Sequence, residues 1–277
     1  MIDREARYTW IGRWLIALLM LLPVAWAVWA SLQPVERLFV GAVFDEANAD
    51  DAWQWDNYRE AVTRLPVLRF LLNSVLITIA ATIGTVLSCA MAGFAFARLR
   101  WWGRPLCFGL VLLSMSAPVN LLILPRFLVF DSLEWLNTYK PLIVPHWMAV
   151  SGFSVFLFRQ AFKSVPRAFE DAARLEGATH WQLFWNVMLP MVRPAVGAVA
   201  ALSAVVHWHA FFGPLLYLSD YQTFPISVGL RMYYKMQGAW PNLLMAVAVL
   251  SMIPPLVIVL IAQRHLMRSV EKPTVTT

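Results

Sequence analysis

Few residues in this chain are of a type that does chemistry, and their spacing rules out most of the chemistry they could do. His207 and His209 are the obvious candidates for a metal. They stand two apart, so on a helix they point to different faces, whereas a metal pair on one helix needs a spacing of three or four. His146, Ser151 and Ser154 form a second polar group, again without a carboxylate or a third ligand at useful spacing. Cys89 and Cys107 lie in apolar stretches, with neither metal spacing nor a persuasive disulfide pairing, and read as small packed residues. No zinc-protease helix, nucleophile elbow or paired carboxylate is present inside an apolar segment. The phosphate loop G-x-x-x-x-G-K-[ST] is absent too, so this chain has no nucleotide site of that kind. The expectation is a chain with no catalytic residues, no metal and no bound cofactor.

One segment carries a dense local code instead. Residues 163–190 read KSVPRAFEDAARLEGATHWQLFWNVMLP. Pro166 suits the first turn of a helix, where its missing N–H costs nothing. Val165, Phe169, Ala172 and Ala173 recur at helical spacing as an apolar stripe. Glu170 and Arg174 are four apart in the favourable order. Gly177 is a natural stop, and Thr179 followed by Gln182 signals a capping box for a second helix. Pro190 and Pro194 mark its end. The result is a short helix, a glycine turn and a second helix. Two small adjacent alanines and one large phenylalanine fit an amphipathic helix lying on lipid. They fit equally a helix docked in the groove of another protein.

The elements that hold this segment are apolar. Hydrophobic residues make up 60% of the 277 residues and charged residues 14%, against roughly 25% in a soluble domain. That is too little polar material to cover a soluble surface. Six stretches are long enough to cross a bilayer, which takes about 20 residues per helix: 14–32, 70–96, 106–124, 142–162, 195–218 and 243–261. Pro118 and Pro125 interrupt the third, and Pro145 sits early in the fourth. The first is longer than a signal-peptide core and no small-residue cleavage site follows it, so it reads as a retained span. The N-terminal arginines, the stretches 97–105 and 159–193, and the tail hold 14 of the 22 basic residues. The stretch 33–66 holds seven acids against three arginines. That asymmetry places both termini and the two basic loops in the cytoplasm. The net charge of +6 is accounted for by those loops, with no basic stripe that would suit nucleic acid. The apolar segments show no inverted repeat, which weighs against a repeat-built secondary transporter. A secondary transporter or channel, and a non-transport membrane enzyme or assembly factor, are the alternatives to the reading that follows.

The loop resembles the EAA loop of permease subunits in binding-protein-dependent ABC importers. Asp171-Ala172-Ala173, Gly177, Val187, Leu189 and Pro190 stand at the family's spacing, with Asp171 in place of the usual Glu and Val187 in place of Ile. Asn73-Ser74 and the stretches 92–98, 118–125, 157–162 and 208–215 resemble the carbohydrate branch, in particular the second, maltose-type permease. Trp208-His209 departs from its Trp-Asn, and the end of the chain departs from its glycine-rich tail. The resemblance implies an all-α polytopic membrane protein. Its single permease domain over 1–277 would have six transmembrane helices and a cytoplasmic coupling helix, the type I ABC importer fold, in the plasma membrane. It implies alternating access for a sugar or sugar derivative. A second permease, two ATPase subunits that carry ATP and Mg2+, and an extracytoplasmic binding protein would be the partners. Phe169, Glu170, Asp171, Ala172, Ala173, Gly177, Leu189 and Pro190 would contact the ATPase or shape that contact. His146, Ser151, Ser154, Trp208, His209 and Phe212 would line the translocation path or pack against the partner permease.

Overall fold

A computed structural model describes residues 2–35, 38, 53–116, 118–235 and 240–270. Every regular element among them is helical. Of the seven acids in 33–66, only Asp56 and Glu60 are described, and the tail beyond residue 270 lies outside the described residues. In chain order the helices are α1 (Ile2–Ser31), α2 (Asp56–Arg64), α3 (Val67–Arg98), α4 (Arg104–Ser116), α5 (Ile123–Ser132), α6 (Lys140–Ile143), α7 (Gly152–Ser164), α8 (Arg167–Leu175), α9 (His180–Met191), α10 (Arg193–Trp208), α11 (Phe212–Tyr217), α12 (Ile226–Lys235) and α13 (Pro241–Val270).

Four stretches are long and apolar enough to span a bilayer: Gly12–Ser31, Val67–Arg98, Lys140–Ser164 and Pro241–Gln263. A fifth is available if α9 and α10, bent by 80°, count as one span. Three of the six expected spans contain a break in the helix, although Lys140–Ser164 is still long and apolar enough to cross. The stretch 106–124 divides into α4, which is only 13 residues long, and a 3₁₀ turn Val119–Leu122. Pro118 accounts for the break, because it offers no N–H to continue the helix. The stretch 142–162 opens with α6 and the 3₁₀ turn Val144–Met148, and Ala149 in the left-handed conformation (φ 53°) separates these from α7. The stretch 195–218 ends its first helix at Trp208 and restarts at Phe212. Pro214 suits the first turn of that new helix.

Backbone contacts divide the chain into two units. The first comprises Met1–Leu71 and Val228–Ile253. Buried polar groups tie it together. The Asn57 amide donates to the carbonyls of Ser31 (3.0 Å) and Gln33 (3.1 Å) and accepts from Asn242 (3.1 Å). The Tyr233 hydroxyl donates to the Ala61 carbonyl. Burial pushes that phenol up to about 12, so it remains a donor throughout the physiological range. In the second unit, Leu72–Ser227 and Pro254–Thr277, the core is aromatic. Phe94 packs against Phe162 and Phe184 with ring centroids 5.6 Å and 5.3 Å apart, and Cys89, Phe158, Leu183 and Met188 complete the cluster. Gly93 permits this packing, since a Cβ there would stand 2.5 Å from the Phe158 Cβ and 2.9 Å from the Arg159 nitrogen. The core thus joins α3, α7 and α9, with Val165 and Ala173 of α8 and its approach packed on it.

Candidate functional site

The segment folds locally as its residues dictate. Pro166 is the cap residue before α8. At the other end Gly177 takes φ 82°, its N–H donates to the Arg174 carbonyl (3.0 Å), and the Ala178 N–H donates to the Ala173 carbonyl (3.0 Å). These two bonds make a Schellman closure, in which glycine supplies the left-handed residue. Thr179 and Gln182 then exchange the two hydrogen bonds of a capping box (3.3 Å and 2.9 Å) and start α9. The second helix is not regular. Leu183–Met188 is π-helical, and its i→i+5 register brings Leu183 and Met188 to the same buried side with Phe184.

The expected apolar stripe divides. Ala173 packs inward against the aromatic core with Val165, whereas Phe169 and Ala172 face outward. Consecutive helical residues are about 100° apart, so Ala173 can turn inward while Ala172 stays exposed. Leu175, at the end of α8, is 90% exposed, and Phe169 and Ala172 are exposed too. Trp181 is exposed at the start of α9. Asp171 and Gly177 are exposed as well, and nothing lies within 4 Å of a Cβ built on Gly177. Leu189 and Pro190 are half-buried at the foot of the loop, where Leu189 packs on the core.

Glu170, expected to contact the ATPase or shape that contact, turns inward: its side chain is only 12% exposed and sits between two arginines. One oxygen accepts from Arg174 at 2.8 Å. The other pairs with Arg98 at 3.5 Å, and the Arg98 side chain is 6% exposed. Arg98 also donates through Nε to the Phe162 carbonyl (3.1 Å) and through Nη2 to the carbonyls of Phe162 and Val165. One guanidinium therefore brackets the end of α3, the C-terminal carbonyls of α7 and the acid of α8. In the sequence Arg98 is merely one of several loop cations. Its partners lie 64 to 72 positions away, beyond any local pattern.

The polar groups of the spans separate into two sets. His146 and His207 come together with ring centroids 4.2 Å apart in an edge-to-face arrangement. Thr85 Oγ1 lies 3.4 Å from His207 Nε2. Both histidines line a cavity of about 380 Å3 with Ser74, Arg126, Phe212 and Tyr217. Of the residues expected to line the path, His146 and Phe212 lie here; His207, which the sequence suggests only as a rejected metal ligand, and Arg126 carry no local signal for it. The second set lies elsewhere. Ser151 caps α7, accepting from the Ser154 N–H (3.4 Å) with the two hydroxyls 2.8 Å apart. Trp208 is buried, and His209 is an exposed residue just past the end of α10. None of these four lines the cavity.

Known proteins place this architecture. The diacetylchitobiose uptake system permease protein of Streptomyces coelicolor is 29% identical over 93% of this chain and 85% of its own length. The arabinooligosaccharides transport system permease protein of Halalkalibacterium halodurans is 30% identical over 92% of this chain and 91% of its own. A chain of the crystal structure of a bacterial ABC transporter involved in import of the acidic polysaccharide alginate superposes with a TM-score of 0.79 at 20% identity, covering 95% of this chain and 96% of that one. It shares the fold. The profile described as binding-protein-dependent transport system inner membrane component matches residues 84–272, and the chain belongs to that family of multi-pass ABC importer permeases.

Proposed function

We propose that this chain is one of two permease subunits of an ATP-driven importer for a sugar or sugar derivative, with α8 as its coupling helix. The observation that carries the proposal is the Arg98 bracket. It fixes α8 to the ends of two spanning elements while Phe169, Ala172 and Leu175 face outward. A helix adsorbed on lipid needs no such rigid tie. A helix that transmits displacement from another subunit does, because slack at its base would absorb the movement. The exposed large and small apolar residues suit insertion into a groove of the ATPase partner. ATP and Mg2+ belong to that partner, and both termini of this chain lie in the cytoplasm with α8. The second permease would complete the pathway, and an extracytoplasmic binding protein would deliver the solute.

The cavity supports the substrate class. Aromatic rings beside hydrogen-bonding groups suit a saccharide, whose C–H faces stack on rings while its hydroxyls find donors and acceptors. The two permeases compared by sequence carry oligosaccharides by name. The test is uptake into proteoliposomes holding the whole complex with its binding protein. Leu175→Glu places a charge in the proposed contact and is expected to lower ATP-dependent uptake at least tenfold, with the permease still inserted. Undiminished uptake, or purification of this chain without an ATPase, would refute the proposal.

A further inference from the structure

A second cavity, of about 430 Å3, lies between the ends of α4 and α7 near the Arg98 bracket, lined by Arg100, Trp101, Arg104, Pro105, Phe108 and Arg159. Three of these six residues are cations and none is an acid. The Arg159 guanidinium lies over the Phe108 ring, 3.9 Å from its centroid. Its Nε is buried and has no hydrogen-bond partner among the described residues. Arg104 spends one amino group on the Leu99 carbonyl (2.9 Å). It is also the first residue of α4, where the helix dipole disfavours a cation and favours an anion. Arg100, Trp101 and Arg104 also line an adjoining cleft that Lys163 enters. Like charges held together around an orphaned buried donor are a costly arrangement unless an anion completes it.

The surroundings indicate what kind of anion. Trp102 is 98% exposed beside Trp101, and such residues favour the headgroup level of a bilayer. From the cavity a stripe of exposed Leu106, Leu110 and Leu113 runs along α4 at helical spacing. A phosphodiester in the cavity would have its acyl chains on that stripe. Neither a free phosphate nor a carboxylate on a protein surface would use it. We propose that this basic cavity is a headgroup site for an anionic phospholipid. Arg159 and Arg104 grip the phosphate, α4 guides the chains, and the bound lipid braces the junction of α4 and α7 beside the coupling segment. The proposal rests on the membrane and importer reading above.

The whole complex, reconstituted in nanodiscs of phosphatidylcholine containing phosphatidylglycerol, tests it by native mass spectrometry of the lipids that stay bound. Phosphatidylglycerol is expected to be retained over phosphatidylcholine, and added inorganic phosphate is expected to leave it in place. The Arg104→Gln, Arg159→Gln double variant is expected to retain about tenfold less, since each arginine loses charge-assisted hydrogen bonds. Arg104→Lys keeps the charge without the fork and should fall between. Equal retention of the two lipids by the wild type overturns the proposal. So does displacement by phosphate, which would mark a small-anion site. So does a double variant that keeps its lipid but loses a partner subunit, which would make a protein carboxylate the occupant. If the double variant does not assemble, Arg100→Gln provides the same comparison with a smaller expected loss, and undiminished retention there overturns the proposal. Failure of ATP-dependent uptake with lipid retention intact would count against the importer reading alone.

Discussion

Glu170 and Asp171 are neighbours of like charge with opposite fates, and the difference is one of burial. Glu170 sits inside the Arg98 bracket, so removing it leaves an almost wholly buried guanidinium without its countercharge, held by backbone carbonyls alone. Glu170→Ala should therefore lower the stability of the permease by about 3 kcal/mol. Arg174 contributes to the same carboxylate from a 45% exposed position, where an ion pair is worth below about 1 kcal/mol. Arg174→Ala should cost correspondingly little. Thermal unfolding of the purified complexes measures both, and equal melting of the two variants would refute the buried-bracket account. Asp171, which replaces the family's usual glutamate, faces the basic cleft from the exposed side of α8. The shorter acid therefore disturbs no buried contact.

At the scale of elements, the loop 163–190 was largely legible because its signals are local. A capping residue, its partner three positions on and a glycine in the left-handed region each act within one helical turn, and all three appear in the structure. The division of the apolar stripe was not legible. Which of Ala172 and Ala173 turns inward depends on the aromatic core of α3, α7 and α9, built from residues nearly a hundred positions apart. The breaks at Pro118 and after Trp208 show the same limit. A proline marks where a helix must stop, but the following chain restarts wherever packing rewards it. Gly177 separates local from tertiary effects experimentally. Its surroundings are open, so the cost of a side chain comes from φ alone, about 1 kcal/mol for Ala. Gly177→Leu should cost no more in thermal stability than Gly177→Ala, and Gly177→Asn less than either, because asparagine tolerates this conformation. A melting temperature falling in step with side-chain volume would show that the turn is packed after all.

For the molecule as a whole, the histidine cavity and the Arg98 bracket are features that only the fold assembles, whereas the expected membrane orientation is argued from charge distribution alone. The basic stretches 97–105 and 159–193 converge in the structure, since Arg98, Arg100, Arg104, Lys163 and Arg167 line one cleft. That cleft, which Arg174 also lines, gathers six of the 14 basic residues on which the expected cytoplasmic placement rests. Arg59 on α2 and Glu176 at the end of α8 are both exposed and should lie on opposite sides of the membrane. In a chain whose Cys89 and Cys107 are replaced by alanine, Arg59→Cys should react with an impermeant maleimide in spheroplasts. Glu176→Cys should react only after permeabilisation. Cys89 is buried and its replacement by alanine removes little volume, so the background should fold. Labelling of Glu176→Cys from outside would reverse the orientation, remove α8 from the reach of an ATPase, and overturn the coupling role together with it. Labelling only from inside would place the outward face of Phe169, Ala172 and Leu175 where a nucleotide-driven subunit can grip it.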